Sequence, residues 1–245
     1  MIKNRENGRS MIEMLGVLAV TGVLSVGGIV GYSKAMTKYR INKTIEQITQ
    51  IAGNIRSFFA PQKNYLEVIC YGIYCNSTGC MGYKEIDSLG NLVEAYNGCT
   101  VIKKAKIFPD EMLTLSDDGK RIMAITNPFG FTTVLEVDNK SIAGDNKAFS
   151  ISYFIRDNLE ACIELMTQDW STANIKAIRL DNGLHTYFKT PVSIDKATEK
   201  CAASIDAETD ERKERGFPKI TFYFDIDLNG SYWNPKAQEK LPWQN

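Results

Sequence analysis

Only one of the 245 residues is histidine, and none of the six cysteines stands in a CxxC spacing. Zinc sites need such spacings or histidine ligands, so a zinc centre is set aside. No net charge is left over either, because 29 Lys and Arg balance 29 Asp and Glu. Without a basic footprint, nucleic acid is not an expected partner. His185 stands alone near Asp181 and Asn182 with no nucleophile motif beside it. It reads as a surface or packing residue rather than a base, and the chain is not expected to be an enzyme. Charge is missing most completely from Met14 to Val30, where no charged residue occurs.

That uncharged run decides what the rest of the chain is for. At helical rise it spans roughly 25 Å, a little less than the ~30 Å hydrocarbon core, and Met11, Ile12 and Tyr32 close the gap. The expectation is a membrane-spanning helix at 11–32. Lys3, Arg5 and Arg9 precede it, which places the N-terminus in the cytoplasm by the positive-inside rule and exports the remainder of the chain. Cys70, Cys75, Cys80, Cys99, Cys162 and Cys201 all lie beyond the span, and an even count in an exported domain reads as disulfides, in any of fifteen pairings. Glu13 lies at the start of the span. An unpaired carboxylate costs ~2.5–3.5 kcal/mol at mid-membrane and less near the interface, so it calls for a partner.

The leader, MIKNRENG, is too short and polar for a secretory signal. A basic leader ending at Gly8, then a polar pair, then an apolar helix with Glu13 fifth after the glycine resembles the class III signal of type IV pilins and type II secretion pseudopilins. The resemblance implies a leader at 1–8, cleavage by a prepilin peptidase between Gly8 and Arg9, methylation of the new terminus, and an assembly role for Glu13 paired with the terminal amine of a neighbouring subunit. Arg9 departs from the family's usual Phe or Met. The other reading of the same residues is an uncleaved signal anchor carrying an exported ligand-binding or enzymatic domain.

Beyond the span, Ile41, Ile45, Ile48, Ala52, Ile55 and Phe59 recur three or four apart, one stripe of a helix that Pro61 stops. Lys43, Glu46, Gln47, Gln50 and Asn54 fall on its other faces. One helix over 9–59, about 75 Å long, is therefore expected, half in lipid and half packed under an exported head at 60–245. The head opens with a cysteine-rich loop, 66–100, rich in turn residues and without a long period. Proximity alone pairs Cys70 with Cys75 and Cys80 with Cys99.

Thr132 to Val137 and Phe149 to Ile155 read as strands, as does Ile220 to Ile226, and Asp157 to Asp169 reads as a helix capped by Asn158 or Asp157. Strands flanking a helix, after a long helix, give an α+β fold with a small antiparallel sheet. Phe108-Pro109-Asp110-Glu111-Met112, Asn127-Pro128-Phe129-Gly130-Phe131 and the cysteine-bearing helix at Cys162 resemble the head of thin-pilus type IVb pilins, over 107–230. That resemblance implies a disulfide from Cys162 to Cys201, closing a loop of about 40 residues worth ~3–4 kcal/mol. It also implies copies of itself or other pilin subunits, an inner-membrane assembly platform and membrane lipid as partners, with a single-pass inner-membrane location and the head in the periplasm or on a pilus.

Two features stay open. Asp225, Asp227 and Asn229 match the opening of a calcium loop, D-x-D-x-N-G, but Lys236 stands where an EF-hand needs glutamate, leaving a calcium-binding turn or a plain turn. The tail aromatics Tyr232, Trp233 and Trp243 cover the edge of a core or meet a partner.

Overall fold

In a computed structural model the described residues are 11–61, 65, 70–71, 74–76, 79–81, 102–119, 122–138, 148–181, 185–207, 209–210, 213 and 217–226. The chain divides into two compact units, Met1–Tyr39 and Arg40–Asn245.

The expected long helix is present as α1, Met11–Phe59. From Glu13 to Ala35 its residues are exposed on all sides. In the second unit, Ile41, Ile48, Ile51, Ala52, Ile55 and Phe59 are each at most 1% exposed and enter the core, with Ile45 packed at its margin. The polar side of this half is not a solvent face throughout. Gln47 is buried and its amide donates to Glu111, and Asn54 donates to the carbonyls of Lys106 and Ile107. Lys43 completes this contact with an ion pair to Glu111 at 2.8 Å. The hydrogen bond from Lys43, and then that from Gln47, lowers the Glu111 carboxyl below its ordinary range.

The head is an antiparallel sheet with helices against one face, so the α+β expectation holds. Its strands are β1 (Cys70–Tyr71), β2 (Tyr74–Asn76), β3 (Gly79–Met81), β4 (Leu113–Leu115), β5 (Ile122–Ile125), β6 (Thr133–Asp138), β7 (Ala148–Phe154), β8 (Ile175–Asp181), β9 (His185–Lys189) and β10 (Lys219–Phe224). Six of them form the main sheet in the order β1-β6-β7-β10-β8-β9, and β2-β3 and β4-β5 are separate pairs. β10, the last of the described strands, thus lies near the middle, between β7 and β8, and ties early and late parts of the head together.

Two shorter helices come after β7 and β9: α2 (Leu159–Thr167) and α3 (Ile194–Asp206). Of the two expected caps of α2 the structure uses Asn158, whose side chain accepts from the Ala161 amide. Phe149, Ile151, Ile178 and Phe222 point from the sheet into one core with the buried residues of α1, α2 and α3. At its edge Asn127 fixes the adjoining turn, its amide donating to Phe154 O and its carbonyl accepting from the Phe129 and Phe131 amides.

Candidate functional site: the apolar helix half and the Asp225 cluster

Glu13 occupies the first turn of α1, and beyond it Met14, Leu18, Val23 and Ile29 are 57–74% exposed. A helix apolar on every face is built for lipid or for neighbouring helices rather than for water. The two hydroxyls in this run impose no unmet polarity. Thr21 donates to Val17 O at 2.9 Å and Ser25 to Thr21 O at 2.7 Å, within the helix's own backbone. α1 is long and apolar enough to cross a membrane. Gly8 and Arg9, the expected cleavage pair, lie outside the described residues.

In the second unit Asp225 lies directly after β10. Its backbone is left-handed, φ 59°. Arg56, in the last turn of α1, reaches both carboxylate oxygens, Nε to Oδ2 at 3.1 Å and an η nitrogen to Oδ1 at 3.0 Å. Tyr65 donates its hydroxyl to Oδ2 at 2.9 Å, and Asn174 donates to Oδ1 at 2.7 Å. The same Arg56 nitrogen donates to Ala173 O, and the guanidinium lies 5.7 Å from the centre of the Phe224 ring. Burial first, and then the Asp225 carboxylate, pushes the Tyr65 hydroxyl up to about 12, so it stays a donor.

Each carboxylate oxygen of Asp225 already takes two donors. A cation ligated there would have to displace the paired Arg56, so this side chain does not fit the calcium role in the arrangement it has. Asp227 and Asn229 lie outside the described residues, and among those described no cluster of three or more metal-ligating side chains occurs. Arg56, Tyr65 and Asn174 carry no signal in the sequence. They come from a helix end, a position between α1 and β1 and a left-handed residue after a short 3-10 turn, and only the fold brings them to one carboxylate.

The Cys162–Cys201 disulfide is formed and joins α2 to α3, Cα to Cα 5.9 Å, with both cysteines fully buried. Cys75 and Cys80 are backbone register partners across β2 and β3, whereas Cys99 lies outside the described residues. His185 begins β9, its backbone opposite Asp181. A surface hollow of about 520 Å³ beside α3 is lined in part by Lys189, Ser193 and Lys196, and among the described residues neither a carboxylate nor an imidazole lines it. Tyr232, Trp233 and Trp243 are outside the described residues.

No family model matches this chain, and no curated protein matches it. Among solved structures it is similar to the type IV b pilin from Salmonella typhi, with 14% identity and a TM-score of 0.46, over 75% of this chain and 99% of that one.

Proposed function

We propose that this chain is a structural subunit of a type IV pilus or a type II secretion pseudopilus, inserted in the inner membrane and polymerised through α1 with copies of itself or other pilin subunits. The observation that carries the reading is the division of labour along α1. From Ile41 onward its apolar stripe is consumed by the head's own core, whereas Met14 to Val30 is exposed and its first turn holds a carboxylate. An anchor needs apolar length but no acid, since an acid in the span only adds cost. An assembly helix has a use for both. Cleavage after Gly8 by a prepilin peptidase leaves an amine four residues before Glu13, and the amine of one copy neutralises the Glu13 of the next. The head then stands on the exported side, where its disulfide persists.

Replacing Glu13 with Ala tests this directly. The variant is expected to insert into membranes normally and to be missing from sheared filaments or pseudopili, as measured by fractionation and immunoblotting. Equal incorporation of both forms removes the assembly role. In parallel, mass spectrometry of the membrane-extracted protein should find an Arg9 terminus in the wild type and a Met1 terminus in Gly8→Ala. A wild type beginning at Met1 returns the chain to the uncleaved-anchor reading.

A further inference from the structure

The hollow beside α3 lies where β9 hands over to that helix, and neither α1 nor the Asp225 cluster lines it. Its volume, about 520 Å³, falls within the ~300–1,000 Å³ of small-molecule sites. Lys189 ends β9 and Lys196 stands in the first turn of α3, so two elements deliver an ammonium group to one hollow. The Lys196 ammonium lies 5.3 Å from the centre of the Phe188 ring, which holds it at the wall. Like charges gathered in this way repel until a counter-charge arrives. Among the described residues none arrives, because neither lysine makes an ion pair there. Glu199, three residues on from Lys196, is held by Lys200 at 2.8 Å, and Asp195 does not line the hollow.

Neutral donors accompany the two cations. Thr190 donates its amide to Lys176 O across the pairing of β8 with β9. Antiparallel neighbours exchange these bonds at every second residue, so the amide of Lys189 is turned away from β8. Ser193 also lines the hollow, and its hydroxyl is not spent on capping α3. The rest of the wall is apolar. Phe188 and Val192 are 3% and 6% exposed and anchor it to the core, and Pro191 stands at its exposed rim.

We propose that this hollow binds a small organic acid, its carboxylate taken by the Lys189 and Lys196 ammonium groups and its apolar body laid against Phe188, Pro191 and Val192. The division of the wall carries the choice of ligand. A bare inorganic anion would use the two cations and leave the apolar wall wet, and a neutral ring would use the wall and leave the two cations uncompensated. A carboxylate on a ring satisfies both, through charge-assisted hydrogen bonds at one end and apolar contact at the other. The site is separate from the apolar half of α1 and adds a ligand to a chain whose proposed role is structural.

The test is acetylation of the full-length chain in detergent, with the labelling rate at each lysine read by mass spectrometry. Millimolar benzoate should slow labelling of Lys189 and Lys196 together, several-fold, and leave the exposed Lys104 and Lys106 unchanged. Benzamide, the same ring without the charge, should protect neither. In Lys196→Gln benzoate should no longer protect Lys189, because both ammonium groups hold one carboxylate. Lys196 is exposed, so this substitution leaves the core untouched. Labelling that benzoate does not slow overturns the proposal. Equal protection by benzamide or by inorganic phosphate also overturns it, as does full protection of Lys189 by benzoate in the variant. Glu13 plays no part in the measurement, so the assembly reading stands or falls separately.

Discussion

Asp225 meets two demands at once, a left-handed backbone and four donors on its carboxylate. Substitutions separate them. Asn tolerates the left-handed region and keeps a carbonyl, so Asp225→Asn loses mainly the charge, at a cost of about 1.5–3 kcal/mol for hydrogen bonds to a charged group. Asp225→Ala loses the charge and adds roughly 1–2 kcal/mol of backbone strain. Urea unfolding monitored by near-UV circular dichroism should rank the three Asp, Asn, Ala, and equal midpoints for Asn and Ala would show that the conformation carries no cost. Tyr65 gives the same cluster a pH signature. Its hydroxyl is held near 12 in the folded protein against 10 in the unfolded chain, so the folded state retains the proton over that interval. The stability this contributes is complete below pH 10 and falls as pH rises toward 12. Tyrosinate absorbance of wild type minus Tyr65→Phe should therefore appear near pH 12, after the bulk of the tyrosines, and a difference signal near pH 10 would contradict the buried geometry.

α3 shows why some elements are legible in the chain and others are not. β6, β7, β10 and α2 lie within about two residues of where β-branched, aromatic and helical spacing put them, and α1 ends at Phe59, two residues before Pro61. α3 escapes a reading by periodicity because its buried positions are Ala197, Cys201 and Ser204, correctly spaced for a helix but too small to register as an apolar stripe. β8 escapes it for the opposite reason. It is buried on both faces, so its residues do not alternate, and β9 is only five residues long. The Asp225 motif is visible in the sequence, but its partners lie up to 169 residues away, beyond the reach of any local pattern. With so little apolar bulk in α3, the disulfide should carry an unusual share of the α2–α3 contact. Replacing Cys162 and Cys201 together by Ala should cost about 3–4 kcal/mol by loop entropy, seen as a lower urea midpoint. A change under about 1 kcal/mol would mean that packing alone holds the pair. Non-reducing peptide mapping of the same samples tests the other cysteines, for which the backbone register of Cys75 with Cys80 competes with the pairing by proximity in sequence.

The two units differ in what their apolar residues do. Every buried hydrophobic residue among those described lies at Ile41 or later, whereas Met14 to Val30 remains exposed. Before Arg40 no described hydrophobic residue is buried, and helix stability at 40–59 comes from its packed face rather than from the preceding turns. Removing residues 1–39 should leave the head's folding balance nearly unchanged while deleting the surface that drives self-association in water. A chain beginning at Arg40, exported to an oxidising compartment, is expected to run as a detergent-free monomer on size exclusion, to form the Cys162–Cys201 bond, and to melt within a few degrees of the full-length protein in detergent. The full-length chain without detergent or lipid should aggregate. A shortened chain that aggregates or lacks the disulfide would show that the N-terminal half of α1 is needed to fold the head, and would recast that half from an assembly and membrane device into a structural one.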